Sequence, residues 1–362
     1  MTAVFRVDAS TTIGGGHLMR CLTLANRLRD AGCDSHFICR DLPGNYAAWL
    51  RETGHSVTLL PAPLQPIVTS DQYLGWLGVT MEMEISQCLS ALDALPVFHW
   101  IVVDHYALDS RWESAVNRKN ARILVIDDLA NRTHECQILL DQNHYPNANR
   151  RYNELARHAE MLLGPAYALL RPEFARRRAE RCSSSSEVRR LLIFLGGSDN
   201  ANVTTTVLRA LKKVEKPDLE IEVIIGHSNR HRTEIEGHCT FLGARLSLQV
   251  DDMADRMANA DLAIGATGVA TWERAAVGLP TLAVSVADNQ REIARHADQL
   301  GILRWLGDAD RINDQQWVEA LEWAFENPQV LRIQSMRGMQ FVDGLGTNRV
   351  VEKMIEYHRR MH

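Results

Sequence analysis

A glycine-rich run followed by a histidine is the first segment whose residue types could do chemistry. Residues 13–20 read IGGGHLMR and lie between a strand-like stretch and a stretch with helical spacing. Glycines permit a tight turn and close approach to a ligand, and the first turn of a helix offers N–H groups to an anion. The helix macrodipole disfavours an imidazolium there, so His17 is expected to be neutral and able to accept a proton. His17 is the candidate base, and the structural alternative is a histidine that only caps the helix.

A second glycine loop, LGGSD at residues 195–199, also stands at the end of a strand-like run. Backbone N–H groups in such a loop could hold a phosphate with help from a hydroxyl. Gly196, Gly197 and Ser198 are therefore candidate phosphate contacts. The pattern alone is equally typical of a plain turn.

The third segment, residues 250–290, combines a strand, a loop of small residues, a helix start and a second strand that ends in amide side chains. Glu273 could accept hydrogen bonds from both hydroxyls of a ribose, the loop amides could take a pyrophosphate, and amide side chains could bond sugar hydroxyls or acetamides. The structural alternatives are an acid that complements a helix dipole and an asparagine that caps a helix. The nucleotide candidates are Met253, Gly268, Thr271 and Glu273, and the sugar candidates are Asn289 and Gln290.

Strand-like runs alternate with helical segments along the chain, which predicts an α/β fold with parallel sheets covered on both faces. Ligands bind at the carboxyl ends of such strands, where Asp8, Asp104, Asp127 and Asp128 are expected. A length of 362 residues suggests two domains. The polar, serine-rich stretch near 171–190 marks the boundary, so we expect a first domain over 1–180, a second over 187–345 and a terminal helix over 346–362.

Composition excludes several classes of function. The formal net charge of −5 provides no general attraction to nucleic acid or to an anionic membrane. We find neither a signal-peptide pattern nor an apolar run long enough to cross a bilayer. We therefore expect a cytoplasmic location and no membrane insertion. The seven cysteines lack the paired spacings of a zinc site, which favours reduced thiols and no bound metal.

Several motifs together carry a resemblance to a known family. The segment 250–290 resembles the donor-nucleotide site of GT-B glycosyltransferases. The N-terminal motifs resemble more specifically the UDP-2,4-diacetamido-2,4,6-trideoxy-β-L-altropyranose hydrolases of pseudaminic acid synthesis, over residues 5 to about 350. These motifs are RVDAS at 6–10, IGGGHLMRCL at 13–22, VDHY at 103–106, DDLANR at 127–132, LDQN at 140–143 and LGPAYALLRP at 163–172.

The resemblance implies two Rossmann-like, doubly wound domains that face a central cleft. It implies hydrolysis of a small-molecule UDP-sugar at the anomeric carbon, with inversion, with UDP as leaving group and without a metal or other cofactor. His17 is then the base for the attacking water, and Tyr106 corresponds to a tyrosine that faces the sugar. Gly14, Gly16 and Arg20, within the same glycine-loop motif, are expected to contact substrate.

One departure from the family pattern concerns the phosphate loop. The family has hydroxyl residues before Thr/Ser-Trp-Glu, whereas this chain has Val269 and Ala270. Backbone N–H groups and Thr271 would then have to hold the pyrophosphate. A glycosyltransferase with the same donor site and a catalytically silent UDP-sugar-binding protein remain alternatives to a hydrolase. A base in a glycine loop argues against the silent protein.

Overall fold

Two parallel sheets form the frame of the chain. The computed structural model describes residues 1–64, 69, 72–117, 121–180, 187–227 and 229–360. The chain divides into unit 1, Met1–Leu169 with Gly346–His362, and unit 2, Leu170–Leu345. This α/β architecture with one sheet in each unit confirms the predicted fold class. The arrangement of the units around a cleft stays a prediction.

Unit 1 contains a seven-stranded parallel sheet in the order β3-β2-β1-β4-β5-β6-β7. Its strands are β1 Thr2–Val7, β2 Asp34–Arg40, β3 Ser56–Leu60, β4 Trp100–Asp104, β5 Arg122–Ile126, β6 Ile138–Asp141 and β7 Glu160–Leu163. Its first helices are α1 Gly16–Asp30, α2 Ala47–Glu52, α3 Gln72–Leu77, α4 Met81–Asp93, α5 Ser110–Val116 and α6 Ala148–Arg151. The strand order reverses between β1 and β4, which is the point where doubly wound sheets open a ligand crevice.

Unit 2 repeats the plan with six parallel strands in the order β10-β9-β8-β11-β12-β13, and its order reverses between β8 and β11. The strands are β8 Arg190–Phe194, β9 Glu220–Ile225, β10 Arg245–Leu248, β11 Leu262–Ala266, β12 Thr281–Ser285 and β13 Arg304–Asp308. The helices are α7 Pro172–Glu180, α8 Val203–Leu211, α9 Arg232–Leu242, α10 Met253–Asn259, α11 Val269–Ala276, α12 Gln290–Gln299, α13 Asp314–Glu326 and α14 Pro328–Phe341. A last helix, α15 Gly346–Arg359, belongs to unit 1. In the described ranges, every helix is too short or too polar to cross a bilayer.

Apolar residues cover both faces of the unit 1 sheet, as expected for parallel strands buried on two sides. Alternate residues of β1 enter different cores: Phe5 packs in the cluster that includes α1 and α15, whereas Val4 packs in the cluster that includes α4 and α5. Strand β4 is buried along its whole length. The strand ends that carry polar side chains are therefore held by a rigid, closely packed layer.

The boundary between the units differs from the sequence expectation. The serine-rich pattern places the division after residue 180, whereas the compact units divide between Leu169 and Leu170. Helix α7 packs against α10 and α11 of unit 2 because Phe174 is buried and Arg177 Nε donates to Asp255 Oδ1 at 2.6 Å. Helix α15 returns to pack against α1. The serines of the expected linker lie outside the described residues.

Charged side chains are buried beneath the carboxyl edge of the unit 1 sheet. Arg6 donates to both oxygens of Asp8, at 2.7 and 2.8 Å, and to Glu84 at 2.7 Å. Arg40 contacts the other oxygen of Glu84 and donates its backbone N–H to Asp8. Burial opposes ionisation of Asp8, but Arg6 and His105 together outweigh it and hold the pKa of Asp8 well below its ordinary value. Because the charges are paired, this network can tie β1, β2 and α4 together without an uncompensated ion.

Asp141, at the end of β6, is buried among other acids. Burial, with the charge of Asp128 as a second cause, raises the pKa of Asp141 well above its ordinary value. The Tyr152 hydroxyl lies 3.0 Å from Asp141 Oδ2 and 3.1 Å from Asp127 Oδ2. One hydroxyl proton cannot serve both carboxylates. A protonated Asp141 that donates to Tyr152, which in turn donates to Asp127, satisfies all three groups.

Substitution Gly346→Ala is expected to lower the melting temperature, because the added Cβ would lie 2.4 Å from Ala168 O and 2.5 Å from Ala168 N. Overpacking of this kind costs about 1–3 kcal/mol. Gly237→Ala is the matched control: it lies on α9, its added Cβ meets nothing within 4 Å, and a small stabilisation is expected. Equal melting temperatures for Gly346→Ala and the wild type would contradict the close contact of the start of α15 with Ala168.

Substitution Asp141→Asn is expected to stabilise the protein increasingly as pH rises. The folded wild type binds the Asp141 proton more tightly than the unfolded chain, whose aspartate pKa is about 3.9. Its free energy of unfolding therefore loses a contribution as pH rises from that value through the folded pKa, and asparagine removes the loss. Urea unfolding at pH 5 and pH 8 measures the difference, with exposed Asp218→Asn as control. A destabilisation of Asp141→Asn that is equal at both pH values would refute a protonated Asp141.

Candidate functional site

The glycine loop and β4 bring a histidine and a carboxylate together at the reversal point of the unit 1 sheet. His17 is in the first turn of α1, and Asp104 is the last residue of β4. His17 Nδ1 lies 2.6 Å from Asp104 Oδ1. A carboxylate can only accept, so Nδ1 carries the proton and Nε2 of a neutral ring is left to accept one. This is the arrangement by which a buried carboxylate orients a general base.

Asp104 is held as a carboxylate by the groups around it. Arg20 donates Nε to Oδ2 at 2.5 Å and Nη2 to Oδ1 at 2.7 Å. Burial opposes ionisation of Asp104, but Arg20 and His17 outweigh it and keep its pKa well below the ordinary value. Arg20 Nη2 also lies 3.2 Å from His17 Nδ1, and this approach is a contact without a hydrogen bond since both atoms carry hydrogen.

Arg20 therefore lies behind the histidine instead of presenting its guanidinium to solvent. It is 3% exposed, and its Nη1 donates to Asp128 Oδ2 at 3.1 Å. Tyr106 donates to Asp128 Oδ1 at 2.5 Å. Burial, with Asp128 as the next cause, raises the pKa of Tyr106 well above its ordinary value. In this structure both predicted substrate contacts, Arg20 and Tyr106, are occupied in positioning the histidine and its surroundings.

Aromatic rings enclose the histidine. The Tyr106 ring meets His17 edge to face, with centroids 4.6 Å apart, and Trp76 does so at 5.8 Å. Trp76 also stacks on Tyr106 at 5.4 Å, and Tyr73 contacts both of these rings. Tyr73 and Trp76 come from α3, a six-residue helix whose sequence shows no motif that could have identified it. The rings limit the orientations open to the imidazole.

The predicted glycines shape the turn before α1. Gly14 has φ +79°, which favours glycine, and its N–H donates to Ser10 O at 2.8 Å. Gly16 is exposed and is the first residue of α1. No side chain caps this helix start. The first N–H groups of α1 have no intrahelical partner and remain available to a polar or anionic group beside His17.

In unit 2 the loop after β8 carries Gly196, Gly197 and Ser198. Gly196 has φ +94°, and Gly197 O accepts from Gly226 N at 2.9 Å. The Asp199 carboxylate accepts from the N–H groups of Val203 at 3.0 Å and Thr204 at 2.8 Å. The first turn of α8 is thus already capped by an anion and would repel a phosphate. Any phosphate contact of this loop must come from its own backbone or from the Ser198 hydroxyl.

The loop after β11 leads into α11 without a carboxylate cap. Gly268 N donates to Thr271 Oγ1 at 3.2 Å, and Thr271 is 2% exposed. Thr271 therefore shapes the loop from inside in this structure. Val269 and Ala270 begin the helix with apolar side chains, so backbone N–H groups are the donors that this start offers.

Glu273 lies on α11 and already has a cationic neighbour in its own unit. Arg171 Nη2 lies 4.0 Å from Glu273 Oε1, and Arg171 Nη1 donates to Asp251 O at 3.3 Å. Burial raises the pKa of Glu273, while Arg171 acts in the opposite direction. Met253 is buried at the start of α10. Arg171 stands in a motif of the sequence, but its contact with Glu273 was not predicted.

The two amide residues differ in their placement. Gln290 Oε1 accepts from Val286 N at 3.0 Å and lies 3.5 Å from Thr267 Oγ1, which links the loops that follow β11 and β12. Asn289 is the residue before α12, and its side chain does not cap that helix. Gln290 thus stabilises the loop after β11, which is the candidate phosphate loop, while Asn289 is half-buried at the same edge of the sheet.

The structure groups the predicted residues into two sets. His17, Arg20 and Tyr106 come together in unit 1, and Gly268, Thr271 and Gln290 come together in unit 2. The pairing of Asp104 with His17 was not predicted, although the position of Asp104 at a strand end was. Among the described residues, no group of three or more His, Cys, Asp or Glu could hold a metal ion. A metal-free site nevertheless stays a prediction.

Comparison with known proteins gives matches in sequence and in fold. Residues 191–314 match the glycosyltransferase family 28 C-terminal domain. The UDP-2,4-diacetamido-2,4,6-trideoxy-beta-L-altropyranose hydrolase of Campylobacter jejuni is 26% identical over 216 residues, which is 59% of this chain and 67% of that protein. The spore coat polysaccharide biosynthesis protein SpsG of Bacillus subtilis is 28% identical over 192 residues, which is 52% of this chain and 56% of that protein.

Among solved structures, MurG of Acinetobacter baumannii aligns with a TM-score of 0.66 and 14% identity, covering 98% of this chain and 100% of that one. This alignment confirms the GT-B fold. The relatives confirm the resemblance inferred from the motifs, although the match spans little more than half of the spore coat protein. The chain is a GT-B-fold protein whose homologues include the UDP-2,4-diacetamido-2,4,6-trideoxy-β-L-altropyranose hydrolase.

Proposed function

We propose that this chain hydrolyses a UDP-linked sugar to UDP and the free sugar, with His17 as the base that activates water. The observation that carries the proposal is the 2.6 Å contact between His17 Nδ1 and Asp104 Oδ1, which leaves Nε2 able to accept a proton. The homology to a UDP-sugar hydrolase supports the substrate class. The fold supports it less specifically, since one fold hosts several reactions.

In the proposed reaction, His17 Nε2 takes a proton from water as the oxygen attacks the anomeric carbon. The bond from that carbon to the UDP oxygen breaks, and UDP leaves with the electron pair. Attack on the face opposite UDP inverts the anomeric centre. The imidazolium then returns its proton to solvent, so that one water is consumed and no other reactant is needed. Asp104 stabilises the imidazolium while it exists and does not itself take the proton.

The UDP group is assigned to the reversal point of unit 2. Glu273 would accept hydrogen bonds from the ribose hydroxyls, which requires its contact with Arg171 to yield or to be shared. The loop from Gly268 into α11 would hold the diphosphate through N–H groups, since α8 is capped by Asp199. Gly196, Gly197, Ser198 and Met253 complete the proposed nucleotide contacts.

A 2,4-diacetamido-2,4,6-trideoxyhexose is the sugar we propose, and the homologous hydrolase is the reason. Amide side chains at Asn289 and Gln290 suit acetamido groups, which offer both a donor and an acceptor. The first turn of α1 adds N–H donors near His17. A cytoplasmic location would fit a nucleotide-sugar substrate.

A glycosyltransferase is the second candidate, and the family 28 domain over residues 191–314 is the observation that favours it. It would use the same nucleotide site, and His17 would take the proton of an acceptor hydroxyl instead of water. The chemistry at Nε2 is the same in both cases. Only the identity of the attacking hydroxyl separates the two functions.

Purified protein is expected to release UDP from a UDP-diacetamido-trideoxyhexose without an added acceptor. NMR would follow UDP and free sugar with EDTA present, because the proposed step uses a side-chain base and no metal. Release that depends on an added acceptor would favour a glycosyltransferase. Loss of release on chelation would contradict the metal-free mechanism.

Substitution His17→Asn is expected to lower turnover about 10²- to 10⁴-fold, the usual contribution of a general base. The affinity for UDP should change little, because the base is assigned to the sugar side of the reaction. His36→Asn is the matched control, since His36 lies on β2 and contacts Thr58 instead of the candidate site. If His17→Asn keeps more than about a tenth of the wild-type turnover, the base has been assigned to the wrong residue.

A further inference from the structure

Arg274 is a buried cation that lacks an ion-pair partner within the described part of the chain. Four arginines there are buried. Arg6 and Arg40 pair with acids of their network, and Arg20 pairs with Asp104 and Asp128. Arg274 is 2% exposed, and its Nε and Nη1 atoms have no hydrogen-bond partner. Its one hydrogen bond runs from Nη2 to Ala266 O at 2.8 Å.

The guanidinium of Arg274 lies at the reversal point of the unit 2 sheet. A Cβ built on Gly265 would stand 2.5 Å from Arg274 Nη1 and 3.1 Å from Phe194 O, so the absence of a side chain at Gly265 makes room for the cation. Gly265 and Phe194 are paired residues of β11 and β8. The loops that contain Gly196 and Gly268 begin within three residues of this pair. The charge therefore lies beneath both loops.

The buried charge of Arg274 lowers the stability of the fold. Burial lowers the pKa of Arg274 to about 10, which still leaves the side chain protonated near neutral pH. A buried cation without a partner is strongly destabilising, and even a buried ion pair can often be replaced by apolar residues without loss of stability. Glu273 is the acid whose charge offsets that of Arg274, and it lies next to it in sequence. A role in stability therefore does not account for an arginine here.

We propose that Arg274 supplies the positive charge that selects the diphosphate of the nucleotide at the start of α11. The inference rests on the proposed function, because it names the group that takes over from the hydroxyls missing at Val269 and Ala270. The guanidinium acts from beneath the loop in two ways. Its charge attracts the anion, and its bond to Ala266 O engages a carbonyl oxygen near the same loop. Arg274 is thus a positioning residue for the leaving group.

This role predicts discrimination between ligands that differ only in phosphate. The charge of Arg274 should contribute to the binding of UDP and contribute nothing to the binding of uridine, which has no phosphate. A purely structural arginine would affect both ligands alike through the shape of the loop. The ratio of the two affinities therefore separates the two roles.

The test is calorimetric titration of the full chain with UDP and with uridine, for the wild type, Arg274→Gln and Arg274→Lys. Glutamine keeps a donor for Ala266 O but removes the charge, and UDP affinity should fall at least about tenfold, as expected when a buried unit charge that attracts the diphosphate is removed, with uridine affinity unchanged. Lysine keeps the charge and should restore most of the UDP affinity. Arg178→Gln is the control, because Arg178 donates to the carbonyl of Ala276 at the opposite end of α11 and to that of Val342 after α14.

Three results would contradict the role proposed for Arg274 or the nucleotide site on which it depends. A UDP-to-uridine affinity ratio in Arg274→Gln equal to that of the wild type would overturn the inference and leave the proposed function intact. A loss in Arg274→Lys as large as in Arg274→Gln would show that charge is not the property that matters. If the wild type binds neither ligand, the proposed nucleotide site itself is wrong, and the inference fails with it.

Discussion

The candidate active site depends on one buried carboxylate, that of Asp104. It accepts from His17 on one oxygen and from Arg20 on both, and it ends a strand that is buried along its whole length. A charge in this position is tolerable only because both partners are held in place. Arg20 is fixed in turn by Asp128, which also accepts from Tyr106. The orientation of the imidazole is therefore set by a network that extends across the reversal point of the sheet.

The two units use the same architectural feature for different chemistry. In unit 1 the strand order reverses between β1 and β4, and the loop after β1 delivers a base to the carboxylate at the end of β4. In unit 2 the strand order reverses between β8 and β11. The edge beside this point contains the buried cation Arg274, which lacks an ion-pair partner among the described residues, and the start of α11, which lacks a carboxylate cap. The first environment suits proton transfer, and the second suits an anionic leaving group. This division of tasks is what the proposed hydrolysis requires.

Much of this could be predicted from sequence, because local patterns determine local structure. The IGGGH run predicts a turn, a helix start and a histidine that can act as a base, and apolar runs with polar ends predict parallel strands with acids at one edge. Contacts between distant residues are harder to predict, because Asp104 is 87 positions from His17 and no sequence pattern indicates that the two side chains meet. The glycine loop at Gly196 shows another limit: Asp199 folds back to cap α8, so a loop typical of phosphate binding has its helix N–H groups already satisfied. The unit boundary depends on packing of α7, which composition alone does not reveal.

The tautomer of His17 is the property from which the proposed chemistry follows most directly. Nitrogen-15 NMR of histidine-labelled protein, with His17 assigned by comparison with His17→Asn, would report which ring nitrogen carries the proton in the neutral form. We expect a proton on Nδ1, directed at Asp104, and an unprotonated Nε2. A neutral His17 with its proton on Nε2 would contradict the account, because that nitrogen could not then accept a proton from water.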